Sequence, residues 1–181
     1  MEQIDQIEEW FYKYGDDVYN FLIYYTGSFD VDDYVQEVFV KALGSFSSYE
    51  KRSSPKTWLL SIARNLVIDK TRRKRRIRFQ SIDLLSNRYI PIDKSNPENS
   101  LLSDEILNDI YNLILALKKP YMEVLVSRLI LEFSVEETAS ILNWSHNKVS
   151  LTYHRALKVL QKQLKSINEG EEQDYERFLH K

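Results

Sequence analysis

A chain of 181 residues, 43% of them hydrophobic, is long enough for one medium domain or two small ones with real cores. Four Gly and four Pro, spread thinly through helix-compatible runs, argue against an all-β sandwich or barrel, and the lack of Cys excludes disulfides, thiolate metal sites and a Cys nucleophile. The formal net charge of −2 hides a sharp segregation: residues 1–50 hold eleven acids and two bases, whereas residues 51–80 hold eleven bases and one acid.

Basic surface attracts phosphate, and acidic surface suits a basic protein groove. Three scattered histidines (His146, His154, His180) do not form a metal site, and no cofactor is expected. The acidic opening MEQIDQIEEW lacks the basic start of a secretion signal, and no run approaches the ~18 apolar residues of a membrane span. The expected location is the cytoplasm.

In chain order, Ile7, Trp10, Phe11, Tyr14, Val18, Phe21, Leu22 and Tyr25 recur at the helical period, with Gly15 and Gly27 as candidate stops. A second helix is expected from about Asp30. Val31, Val35, Val38 and Ala42 form its stripe, Asp32 and Asp33 favour its N-terminus, and Gly44 ends it. Residues 44–53 read as a loop carrying Phe46 and Tyr49. Ser54-Pro55 caps a third helix with the stripe Leu59, Ile62, Ala63 and Leu66, and this helix runs into a basic cluster.

Residues 79–102, which include Pro91, Pro97 and several Ser and Asn, read as a flexible linker. Beyond it, Ser103 is a candidate cap for a helix with Ile106, Ile110, Leu113, Ile114 and Leu117 on one face. Pro120 opens another, with Val124, Leu125 and Leu129 expected in the core. Ser134-Val135-Glu136-Glu137 matches the capping box. Val135, Thr138, Ala139 and Leu142 follow on one face, Asn143-Trp144 makes a short turn, and Ser145 caps the next helix. Two short helices joined this tightly are the helix-turn-helix signature. On the second of them Val149, Tyr153, Ala156 and Leu160 face inward, while Asn147, Ser150, Leu151, His154 and Lys158 face outward with Arg155 at the margin. Outward amide, hydroxyl, apolar and cationic groups suit base edges and phosphates in a major groove, although α-hairpins that never touch DNA share this pattern.

Lys70, Arg72, Arg73, Lys74, Arg75, Arg76 and Arg78 put seven bases into nine residues at the end of the third helix. Cations suit a helix C-terminus, but this density exceeds capping and fits a nucleic-acid backbone. On the same helix Asn65 offers a donor and an acceptor to a base edge. Trp58 with Phe46 and Tyr49 either stacks unpaired bases or belongs to the core.

The order of these motifs resembles the extracytoplasmic-function (ECF) group of sigma-70-type sigma factors over nearly the whole chain. The stretch Asp32-Asp33-Tyr34-Val35-Gln36-Glu37-Val38-Phe39 is similar to the family's segment that binds the clamp helices of the largest catalytic subunit of RNA polymerase. The run from Pro55 to Asp69, PKTWLLSIARNLVID, resembles the segment that melts and reads the minus-ten element. The helix-turn-helix ending Val149 to Leu160 resembles the module that reads the minus-thirty-five element.

The resemblance implies an all-α protein of two small helical domains: a region 2 bundle over 1–78, a linker over 79–102, a region 4 helix-turn-helix over 103–165 and an acidic tail over 166–181. It implies a factor without enzymatic activity that docks on core RNA polymerase, at the beta-prime clamp helices and the beta flap, through Asp32, Asp33, Gln36, Glu37 and Phe39. It gives minus-ten DNA to Thr57, Trp58, Arg64, Asn65, Arg72 and Arg73, and minus-thirty-five DNA to Asn147, Ser150, Leu151, His154, Arg155 and Lys158. It further implies a stress-response role and an anti-sigma factor, in many relatives membrane-anchored. Ser150 departs from the family, where many relatives carry a base, and residues 166–181 extend past the usual end. Two rivals make different predictions: a dimeric repressor would footprint duplex DNA alone, and an RNA-binding regulator would ignore promoter sequence.

Overall fold

The computed structural model describes residues 2–80 and 105–179, with side chains at residues 2–74, 76 and 108–165. Residues 79 and 80 of the expected linker are helical; its remaining residues 81–102, the Ser103 cap and the side chains of Arg75, Arg78, Ile106 and the acidic tail lie outside the described residues. Among those described, the regular elements are all helical: α1 (Glu2–Thr26), α2 (Asp32–Ser45), a 3-10 turn (Phe46–Ser48), α3 (Pro55–Gln80), α4 (Glu105–Ala116), α5 (Lys119–Leu125), a π turn (Val126–Ile130), α6 (Val135–Leu142) and α7 (His146–Leu179).

Helices α1, α2 and α3 each pack on the other two. Their stripes form the first core from Ile7, Trp10, Val18, Phe21, Leu22 and Tyr25 of α1, Val31, Val38, Phe39 and Ala42 of the α2 segment, and Leu59, Leu60, Ala63 and Leu66 of α3. Burial of each large side chain contributes roughly 1.5–3 kcal/mol, which is what makes three polar-faced helices adhere. The second core gathers Tyr111, Ile114 and Leu117 of α4, Met122, Val124 and Leu125 of α5, Ala139 of α6, and Val149, Ala156 and Leu160 of α7.

Several expectations are corrected. Gly15 does not stop α1, which runs unbroken to Thr26; the stop is Gly27, at φ 73°, whose amide bonds the Ile23 carbonyl at 2.8 Å. Helix α2 begins at Asp32, two residues after Asp30, and Gly44 lies inside it; the following loop tightens into the 3-10 turn. Leu129, expected in the core, is instead 39% exposed. At Leu129 the cause is the π turn, where the Leu131 amide reaches back five residues to the Val126 carbonyl at 2.9 Å. The widened turn rotates Leu129 off the α5 stripe. Beyond residue 165 the chain continues as helix to Leu179.

The two domains pack against each other. Helix α6 lies along α3, and its Ile141 and Leu142 join the first core. The Tyr111 hydroxyl donates to the Tyr24 carbonyl at 2.7 Å, the two rings meeting edge to face at 5.8 Å. Lys56 pairs with Asp17 at 2.5 Å and lies 5.9 Å from the Phe133 ring. A cleft of about 340 Å³ lined by Asp17, Asn20, Tyr24, Lys56 and Phe133 runs along this seam.

Candidate nucleic-acid interface

The outward side of α7 is built from the turn that precedes it. Ser134 accepts from the Glu137 amide at 3.1 Å while its own amide donates to the Glu137 carboxylate at 2.8 Å, so the capping box fixes the start of α6. Hydrogen bonding to its carboxylate, from the Ser134 amide first and then from the Ser134 side chain, holds the Glu137 carboxyl below the usual glutamate range, with smaller help from Lys56 and Arg128 against burial. Asn143 ends α6 in the left-handed region (φ 54°, ψ 50°), which an Asn adopts at less cost than a branched residue. The Trp144 amide then bonds the Ala139 carbonyl at 2.9 Å, and Ser145 accepts from the Lys148 amide at 3.3 Å to start α7.

Val149, Ala156 and Leu160 are buried and Tyr153 is half-buried beneath the Arg128 guanidinium, 5.6 Å from its ring centre. The opposite face is therefore turned out: Asn147, Leu151, His154, Arg155 and Lys158 are exposed and Ser150 is half-exposed. Leu151, with 57% of its surface open, is an apolar group displayed among cations and amides. Such a face offers a thymine methyl an apolar contact and phosphates a cation.

The α3 face is different. Asn65, Arg72 and Arg73 are exposed, but Thr57 is buried and its hydroxyl lies 2.9 Å from that of Ser54 at the helix start. Trp58 is half-buried in a ring cluster, 4.9 Å from Tyr49 and 6.1 Å from Trp10, and Phe46 lies 5.5 Å from Trp10. Burial, and then the neighbouring Tyr14, pushes the Tyr49 phenol above its ordinary pKa; its hydroxyl donates to the Ser53 carbonyl at 2.7 Å. Of the two alternatives, stacking or core, the structure packs Phe46, Tyr49 and Trp58 half-buried against the first core around Trp10.

Arg64 is committed within the protein. Its Nε and Nη2 lie 3.1 and 3.0 Å from one oxygen of Glu123, with Arg64 12% and Glu123 3% exposed at their side chains. The Tyr25 hydroxyl donates to the same carboxylate oxygen. Glu123 was not singled out from sequence. Its signal is an acid inside the apolar run Met122–Val126, a place that demands a partner.

On α2, Asp32, Asp33 and Gln36 are exposed. Glu37 is held by Lys70 at 2.7 Å, and Lys70 also sits 4.1 Å from the Tyr34 ring centre, so α2 and the basic end of α3 are tied together. Phe39, expected at the docking face, is buried with its ring 5.0 Å from Phe11. Among the described residues no cluster of three or more His, Cys, Asp or Glu is placed to hold a metal, and no helix is long and apolar enough to cross a membrane.

Comparison with known proteins bears directly on this geometry. The family model Sigma-70 region 2 matches residues 10–77, and the model Sigma-70, region 4 matches residues 107–160. The chain is 34% identical over 159 residues to the ECF RNA polymerase sigma factor SigX of Bacillus subtilis, covering 86% of this chain and 82% of that one. It is 32% identical over 173 residues to the RNA polymerase sigma factor YlaC of the same organism, covering 94% and 99%. Its fold is similar to that of the sigma factor RpoE solved in complex with the anti-sigma factor NepR from Bartonella quintana, with a TM-score of 0.64 and 23% identity over 88% of this chain and 97% of that chain. Two region models in the right order, on two helical domains whose exposed basic faces lie where those regions fall, place the chain in the ECF group of the sigma-70 family.

Proposed function

We propose that this chain acts as an alternative sigma factor whose two faces have separate tasks, with α7 gripping duplex DNA upstream and α3 capturing unpaired bases downstream. The observation that carries the reading is the outward side of α7, a capped recognition helix with a buried stripe on one side and exposed Asn147, Leu151, His154, Arg155 and Lys158 on the other. Ser150, beside them, contributes a hydroxyl where a base would add a phosphate contact. On α3, Asn65 offers both hydrogen-bonding roles to a flipped base, Trp58 lines its surroundings, buried Thr57 supports the helix start through Ser54, and exposed Arg72 and Arg73 hold phosphates, joined by Arg64 only when it leaves Glu123. Opening costs a few kcal/mol per unstacked step, and preferential binding of the open strand shifts the equilibrium toward melting.

Asp32, Asp33, Gln36 and Glu37 with Phe39 form the docking segment for the beta-prime clamp helices, and region 4 meets the beta flap. Charge complementarity there speeds docking more than it sets affinity. The working boundaries are a region 2 domain over 1–78, a linker over 79–102, a region 4 domain over 103–165 and a tail over 166–181. The protein works in the cytoplasm, catalyses no reaction itself, and is held in reserve by an anti-sigma factor, in keeping with the partner of the similar RpoE structure.

Transcription with purified core polymerase on a randomised promoter library tests this reading. Selective starts that share two spaced elements support it. Starts no more selective than with core polymerase alone defeat it, and a tight footprint by the free chain on duplex DNA favours a conventional repressor instead.

A further inference from the structure

The outer face of α1 displays apolar groups that stay open to solvent. Ile4, Phe11 and Tyr12 are 57%, 45% and 79% exposed. Asp5, Glu8, Glu9 and Asp16, all exposed, stand around Tyr12 at the three- and four-residue spacing that puts them on one side of a helix. The outer face of α7 is the counterpart of this one. Leu151, 57% exposed, lies among Lys148, Arg155, Lys158 and Lys162, which recur along the same side of the helix and are exposed as well. Among the described residues, none of these acids and none of these bases takes part in an ion pair. We propose that the two faces are partners between copies: α1 of one molecule seats on α7 of the next, its carboxylates against the cation row and its Tyr12 and Phe11 around Leu151.

Opposite charge steers the two faces together, and the apolar groups at the middle of each give a contact that excludes water. Both faces are exposed in the same molecule, so they do not meet within one chain while its domains are packed as described. A second copy supplies what each face lacks: cations with an apolar knob for α1, and carboxylates with apolar rings for α7. The contact is heterologous, because every molecule keeps one unused face of each kind, and association therefore runs past the dimer unless the geometry closes a ring. It also covers the side of α7 given to duplex DNA, with carboxylates standing before the cations in place of phosphates. That consequence rests on the reading of α7 above; the contact itself does not. Concentrated free chain is thus self-masked at α7, and duplex DNA disperses it.

Sedimentation velocity of the full-length chain over a range of concentrations reads the association. Raising salt from about 0.1 M to about 1 M shortens the reach of charge from roughly 10 Å to roughly 3 Å. The expected result is a sedimentation coefficient that grows with concentration at the lower salt and stays that of a monomer at the higher. Glu8→Lys with Tyr12→Lys spoils the α1 face, and Leu151→Ser with Lys158→Ser spoils the α7 face; all four positions are exposed. Each double variant should self-associate at least about tenfold more weakly, the first through like-charge repulsion and the second through lost contacts. Mixed in equal amounts, the two should form a one-to-one pair that grows no further, since each keeps the face the other has lost. Monomer at every concentration in the lower salt overturns the proposal, whether or not the variants fold. Folded variants that associate as wild type does, or that fail to pair when mixed, overturn it too. Short duplex DNA of mixed sequence, in excess, is expected to return wild type to single molecules on DNA, and oligomers that persist on bound duplex overturn the shared face. Promoter-selective transcription by wild-type holoenzyme is scored apart: its absence defeats the reading of α7, and sedimentation still decides the contact between copies.

Discussion

At the scale of single residues, exposure separates side chains that hold the fold from those that are free to read DNA. Asn65 is exposed on α3, so Asn65→Ala should change stability by no more than about 0.5 kcal/mol. A loss of more than ~2 kcal/mol in urea unfolding would mean that Asn65 serves the fold. Trp58 behaves differently because it sits among Trp10 and Tyr49; Trp58→Ala should cost about 3 kcal/mol, so only Trp58→Phe isolates a stacking role. Sequence placed Asn65 correctly on the outer side of α3, because periodicity alone assigns faces. It left Trp58 open between stacking and core, because a tryptophan beside a stripe is compatible with both. Arg64 was assigned to phosphate with no sign that it is already paired, since its partner lies 59 residues further along and only the packing of the domains joins them.

At the scale of elements, local chemistry was the most legible part of the chain. The capping box at Ser134 and Glu137 is present as the S-x-x-E pattern requires, and Ser134→Ala should lower stability by about 1 kcal/mol in urea unfolding. The depressed Glu137 carboxyl fixes the sign of the pH response. Its contribution is complete above the usual glutamate range and is lost as pH falls through the lowered folded value. Glu137→Gln should flatten that acid limb; an unchanged pH profile would show that the limb belongs to other carboxyls. Gly15 was misjudged because glycine opposes a helix by only about 1 kcal/mol, which burial of Trp10 and Val18 on either side outweighs. An added Cβ at Gly15 meets nothing within 4 Å, so Gly15→Ala should raise stability by about 0.5–1 kcal/mol. The π turn left no mark in the sequence, since its i to i+5 bond sits in a segment that packs on α5, α1 and α6 rather than on its sequence neighbours alone.

For the whole molecule, segregated charge was visible from the start, whereas the contact between domains was not. The off-stripe Ile141, beside Leu142, is the residue that signals a second neighbour for α6, and a helix with two apolar sides needs two partners. The acidic α2 face also gains a cleaner test. Glu37 is bound to Lys70, so reversing it also breaks an ion pair within the domain, while Asp33 and Gln36 are exposed. Asp33→Lys with Gln36→Lys should weaken association with core polymerase about tenfold, read by co-sedimentation or fluorescence anisotropy, while the reversed charge at the α2 N-terminus costs no more than about 1 kcal/mol of stability. Undiminished association would place the docking face elsewhere.

The most direct measurement is promoter opening itself, followed by a fluorescent base analogue in the non-template strand of the minus-ten element, with core polymerase and this chain together. The account predicts a fluorescence rise that requires the chain and falls at least tenfold with Asn65→Ala, while polymerase association stays intact. A rise of equal size without the chain, or parallel loss of opening and association in the variant, would contradict it.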